Sequence, residues 1–183
     1  MKKGFIYLSL IVLLVFNACK KEGSNNDNNV VSLPSGPQDT ITSFMITFFN
    51  TLDSSNSVAE YADEDGPGPK SPTFGGFSLE KNTPYEVSFR IEDGTGVPIV
   101  LNNKIRTNGK DYKICINNPL GITVVPTDSD GSLPIGLIQN ITTSSTTGDA
   151  TMTFTIKYQK GVKNGQCEPG VVYFSCTLPF SVK

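Results

Sequence analysis

Four stretches of this chain alternate apolar and polar residues with a period of two, a fifth is apolar on both faces, and no stretch sustains a helical period over twelve or more residues. A period of two places successive side chains on opposite faces of a pleated strand, so each alternating stretch has one face to bury. The cleanest is "TPYEVSFRIED", residues 83–93, with Tyr85, Val87, Phe89 and Ile91 inward and Glu86, Ser88, Arg90 and Glu92 outward. "ITSFMITFFN", residues 41–50, is apolar on both faces (Met45 and Phe49 against Phe44, Ile46 and Phe48), as in a central strand. "DYKICIN" sets Tyr112, Ile114 and Ile116 opposite Lys113 and Cys115. "TMTFTIKYQKG" sets Met152, Phe154, Ile156 and Tyr158 against threonines and Lys157, and "GVVYFSCTLPFSV" puts Val172, Phe174, Cys176, Leu178 and Phe180 on one side. The turn clusters "EKNT", "EDGTG", "TNGKD" and "STTGD" separate such runs, while "PIVLNNKI" allows one or two helical turns. With 17 glycines and 12 prolines, the pattern predicts an all-β fold. It is an antiparallel β-sandwich of about seven or eight strands, immunoglobulin-like or of related topology.

The first residues obey a different rule. Lys2 and Lys3 precede an apolar run from Phe5 to Phe16, after which come Ala18, Cys19, two lysines and an asparagine-rich string. The run is short of the roughly 20 apolar residues that span a bilayer. A basic start, a short apolar segment and a small residue are the parts of a secretory signal peptide. Residues 1–18 are therefore expected to be a lipoprotein signal peptide and Cys19 the lipid attachment site. The Ala18–Cys19 junction resembles the lipobox of bacterial lipoproteins, although Phe16 and Asn17 depart from its usual Leu-Ala/Ser pair. Residues 19–40 are polar, rich in Asn, Ser, Pro and Gly, and read as a flexible tether. "DTI" at Asp39–Ile41 resembles a short O-glycosylation motif of Bacteroidetes secreted proteins. The sandwich domain then occupies residues 41–183.

Removal of Lys2 and Lys3 from the 15 basic residues leaves 13 against 17 acidic ones. A mildly acidic chain with no basic cluster argues against nucleic acid as a partner, because that binding is driven by phosphate neutralisation. The chain has no histidine, which removes Ser-His-Asp and Cys-His catalysis and imidazole metal ligation. Paired carboxylates are the remaining hydrolytic option. The acidic residues, however, concentrate in turns, and no catalytic residues are assigned.

Two turns echo each other: "ADEDGPGPK" with Asp63 and Asp65, and "TDSDGSLP" with Asp128 and Asp130. Alternating carboxylates can converge on Ca²⁺, which takes six to eight oxygens. Neither turn completes an EF-hand, since the first and twelfth loop positions would be Tyr61 and Pro72, or Pro126 and Leu137. The competing reading is turn chemistry, with Asp bonding its own backbone and Gly supplying positive φ. No cofactor is expected beyond this calcium option.

Three cysteines accompany Cys19, and an envelope compartment allows them to oxidise. Cys176 lies on an apolar strand face and reads as buried and unpaired. Cys115 points away from Tyr112 and Ile114, and Cys167 sits in the loop "KNGQCEPG", which favours a Cys115–Cys167 bridge with Cys167–Cys176 as the alternative.

Taken in order, "DTITSFMITFFN", "EYADEDGPGP", "FSLEKNTPYEVSFRIED", "YKICI", "PTDSDGSLPIGL" and the closing "KNGQCEPG" resemble a family of small uncharacterised Bacteroidetes outer-membrane lipoproteins. The resemblance covers residues 40–183, and the Asp-x-Asp-Gly turns followed by "LPIGL" carry most of it. It implies a β-sandwich anchored at the outer membrane, associated in some relatives with TonB-dependent receptors. Members often have a His where Tyr112 stands here, so any metal role of that position does not transfer to this chain.

The expected protein is a lipid-anchored, noncatalytic binding or interaction module of the cell envelope. Its expected partners are the membrane through Cys19 and an outer-membrane receptor or carbohydrate. The alternatives are a structural envelope protein with turn-bound calcium and a small carboxylate-based hydrolase.

Overall fold

A computed structural model describes residues 36–117 and 119–183; the expected signal peptide, Cys19 and the expected tether as far as residue 35 lie outside the described residues. The described residues form one unit. Its first sheet contains β1 (Ser43–Asn50), β2 (Asn56–Ala62), β3 (Thr73–Gly75), β5 (Pro84–Asp93), β6 (Ile99–Val100), β8 (Thr123–Pro126) and β9 (Ile138–Thr142). Its second contains β4 (Phe77–Leu79), β7 (Tyr112–Asn117), β10 (Gly148–Tyr158) and β11 (Val171–Val182). The strand orders are β3-β2-β1-β5-β9-β8, with β6 on β5, and β4-β11-β10-β7. Every pairing is antiparallel except β4 on β11. A single short helix, α1 (Asn102–Thr107), occurs among the described residues where one or two turns are predicted, followed by a 3-10 turn at Gly109–Asp111.

The predicted alternation accounts for the core. Tyr85, Val87, Phe89 and Ile91 are all buried, as are Phe44, Ile46 and Phe48 of the centrally placed β1. Across the sandwich they meet Met152, Phe154, Ile156, Leu178 and Phe180. Phe48 stacks on Phe77 with ring centroids 4.4 Å apart, and Phe77 on Phe180 at 5.3 Å. Each fully buried side chain of this size contributes roughly 2–3 kcal/mol relative to exposure.

Among the described residues the strands number eleven, above the seven or eight predicted, because β3, β4, β6 and β8 are short edge or hairpin pieces with too few residues for alternation to register. Val172 does not share the face of Cys176 and Leu178: it is 58% exposed. The register shifts between Ile156 and Lys157, which pair with Phe174 and Val172, so Tyr173 is an extra residue in β11. Such a bulge reverses the alternation on its far side. Lys113, placed on the face opposite the core, is nevertheless buried, and burial lowers its pKa, with the Lys163 ammonium adding to the effect.

β1 starts at Ser43 beside Glu92 and ends at Asn50 beside Tyr85. The sandwich thus has an end where the chain enters the domain, near Asp93, and a far end at the β1–β2 turn. Asp39 reaches both Lys104 and Tyr173 at the entering end, which ties the second sheet's β11 to the same end.

Candidate functional site

Both aspartate turns lie at the entering end, but they do different things. The second connects β8 to β9. Asp128 Oδ1 accepts from the N–H groups of Gly136 (2.8 Å) and Ile138 (3.3 Å), and its Oδ2 from Leu137 (3.1 Å). That carboxylate closes the loop by satisfying three backbone donors. Asp130 Oδ1 accepts from Ser132 and Leu133, at 2.9 and 2.8 Å, and its Oδ2 faces the Lys163 ammonium at 2.8 Å. Lys163 also donates to the Gly109 carbonyl at 2.7 Å. The two side chains of this ion pair are only 4% and 5% exposed. The Lys163 hydrogen bond, followed by the Leu133 N–H, holds the Asp130 carboxyl down at about 2.

Gly136 in the same loop has a φ of +91°, and a methyl group there would come within 2.6 Å of the Ile114 carbonyl oxygen. A residue with no Cβ is needed at this close crossing of two backbones.

The first turn follows β2. The Asp63 N–H donates to the Thr42 carbonyl at 2.7 Å, and Tyr61 donates its hydroxyl to Asp63 Oδ2 at 3.1 Å. Burial first, then the Asp63 carboxylate, push the Tyr61 phenol up to about 12. Asp65 Oδ2 accepts from the Lys70 N–H at 3.2 Å. Asp63 Oδ1 is buried with no hydrogen-bond partner. Among the described residues no three carboxylate or cysteine side chains converge in a way that would hold a metal ion. The structure therefore holds the four aspartates as two separate sets, one spent on backbone donors and an ammonium, the other on a phenol and a backbone N–H.

Cys115 on β7 is bonded to Cys167 in the β10–β11 loop, with Cα atoms 6.1 Å apart. The predicted pairing is the one formed, and the Cys167–Cys176 alternative is not. Cys176 is free and buried, its thiol pushed up to about 12 by that burial. Cys19 lies outside the described residues.

No family model, curated protein or solved structure matches this chain. Its surface must be read on its own terms. The strongest apolar anchor lies at the β3 edge of the first sheet. Phe74 is 51% exposed and tilts on Tyr61 at 5.6 Å; Tyr61 meets Phe174 edge-on at 5.0 Å, and Phe174 reaches Phe44 at 5.2 Å. An exposed ring is thus backed by three others that run into the core. All of β3 is exposed, so the Phe74 ring is presented on an uncovered sheet edge.

Sequence reasoning missed this ladder because "SPTFGG" has no period. It also missed the Asp130–Lys163 pair, since nothing in "KGVKNGQ" separates a lysine that folds inward from one that stays in solvent.

Proposed function

We propose that this chain is a lipid-anchored cell-envelope protein whose sandwich is a noncatalytic interaction module. In this reading the Phe74 edge docks on an outer-membrane receptor. The observation that carries the reading is the half-exposed Phe74 ring, packed on Tyr61, which Phe174 backs in turn. Pre-ordered aromatic residues on an open edge are the anchors that interfaces favour, because little rotamer entropy is lost on binding. A carbohydrate would use the same ring as a stacking face.

A photoreactive amino acid placed at Phe74 in intact cells should crosslink to an outer-membrane protein, whereas the same probe at the distant Leu52 should not. Equal labelling from both positions would remove the edge from consideration, and polysaccharide adducts alone would favour the carbohydrate partner.

A second reading, turn-bound calcium, is favoured by the partnerless Asp63 Oδ1 beside Asp65. A ligand at a hundredfold excess over Kd adds about 2.7 kcal/mol to the folded state. Thermal melts in excess CaCl₂ and in EDTA at matched ionic strength are expected to coincide. A calcium-specific rise of several degrees that Asp63→Asn abolishes would promote this reading.

A further inference from the structure

The β5–β6 hairpin has an apolar tip that the sandwich does not use. Glu92 pairs with Val100 and Asp93 with Ile99, so Gly94 to Pro98 form the turn. Val97 is 87% exposed, Ile99 49% and Val100 44%. Thr95 lies against Gly66, where an added methyl would be 3.4 Å from its Cγ2, but a methyl group built on Gly96 would meet nothing within 4 Å, so the turn projects from the fold beyond Thr95.

The root of this tip is firmly held. Asp93 Oδ1 accepts from both the N–H and the hydroxyl of Thr95, at 3.0 and 2.7 Å, and the Gly94 N–H donates to Thr42 Oγ1 at 2.8 Å. Below it, the Asn102 side chain accepts from the Ile91 N–H at 3.0 Å and donates to the Phe89 carbonyl at 2.6 Å. The result is a rigid stalk that carries aliphatic side chains into water.

The chain enters the domain at this stalk. The Thr40 N–H donates to Asp93 Oδ2 at 3.0 Å, and Asp39 pairs with Lys104. Even fully extended, the stretch from Cys19 to Gly36 reaches at most roughly 60 Å. We propose that the Val97–Val100 tip inserts into the membrane leaflet that holds the Cys19 lipid, so that the domain stands with its entering end down. This rests on the lipid-anchor reading and adds an orientation to it.

The composition of the tip suits lipid better than protein. It has no aromatic residue and no arginine, the types that anchor protein interfaces. From Gly94 to Lys110 the sequence carries Lys104, Arg106 and Lys110 and no acidic residue, and the carboxylates beside the tip are engaged, Glu92 with Arg90, Asp93 with Thr95 and Asp39 with Lys104. Aliphatic side chains with nearby cations are the pattern of residues that settle at the headgroup and acyl boundary.

The chain has no tryptophan, which makes the test direct. The lipidated full-length product is prepared as Val97→Trp and, separately, as Leu52→Trp. Leu52 is 71% exposed at the far end of β1, about 25 Å away along the eight residues of that strand. Both are reconstituted into phosphatidylethanolamine–phosphatidylglycerol vesicles with and without brominated acyl chains. The Val97→Trp emission should shift to the blue and be quenched by the bromines, while the Leu52→Trp emission should stay that of a solvated indole.

If both indoles stay solvated while the protein remains on the vesicles, insertion is overturned and the anchor stands. Quenching at position 52 in place of 97 would overturn the orientation. An indole at 97 that is shielded in native envelopes but solvated in protein-free vesicles would assign the tip to a protein partner and overturn the lipid assignment. Failure of the anchor reads separately, as product without acyl mass that does not sediment with vesicles, and it would overturn both.

Discussion

Asp130 and Lys163 show how much one residue pair is asked to do. The carboxylate satisfies two backbone donors in its own loop and also fixes the β10–β11 loop through an ammonium that has almost no water around it. Breaking such a pair by removing one partner leaves a buried charge uncompensated, so Asp130→Asn should cost roughly 3 kcal/mol at neutral pH. Its pH dependence has a definite sign. The folded-state pKa of about 2 lies below the unfolded value, so the stabilisation is complete above pH about 4 and is lost as pH falls toward 2. That loss amounts to about 2 kcal/mol in all. Urea unfolding of wild type and Asp130→Asn should therefore show a gap that is constant near neutrality and narrows between pH 4 and pH 2. A gap independent of acid would mean that the carboxylate is not held as described.

At the scale of elements, the disulfide matters because of what it joins. β7 is the edge of its sheet and, among the described strands, pairs with β10, with a further backbone bond from Ile114 to Ile135, and the β10–β11 loop has no regular structure of its own. Cys115–Cys167 closes a separation of 52 residues between them, worth up to about 4 kcal/mol in the chain-entropy account. The Cys115→Ala/Cys167→Ala double variant should lose about 3 kcal/mol and melt roughly 10 °C lower. An unchanged melting temperature would mean that the loop is already fixed by Lys163 and Gln159, whose side chains donate to Gly109, Gln166 and Pro169. This scale also shows what the sequence can reveal. β5 and β10 were legible because one face packs on the core while the other meets solvent, and solvent tolerates only polar side chains there. β9 was not: Gln139 sits on its buried face, where the Gly136 carbonyl accepts its amide at 2.9 Å, and a buried polar residue erases the alternation. The bulge at Tyr173 was invisible for a related reason, because inserting one residue into β11 changes which face is inner without changing composition. Among candidate site residues, the bridge was legible from strand facing. The aromatic backing of Phe74 depends on four strands meeting, β3, β2, β11 and β1, and no local pattern encodes that.

For the molecule as a whole, the sandwich has a continuous core drawn from both sheets, so the fold does not need a bilayer to complete it. In the proposed lipid-anchored reading, the lipid on Cys19 and the domain are separable, and a variant that loses one should keep the other. A single acyl chain gives only marginal, reversible membrane binding, whereas two or three, at about 0.8 kcal/mol per buried CH₂, hold a protein stably. Replacement of Cys19 with Ser removes the thiol that would carry them. The variant should lack the acyl mass, leave the membrane fraction or stall before processing, and still show the Cys115–Cys167 bridge and the wild-type melting temperature in whatever soluble protein is recovered. Mass spectrometry with membrane fractionation measures the first part, and non-reducing peptide mapping with a thermal melt the second. Membrane partitioning that survives Cys19→Ser, in a wild type with no acyl mass, would sink the lipoprotein reading. Loss of the fold along with the anchor would instead show that the core described here is insufficient by itself.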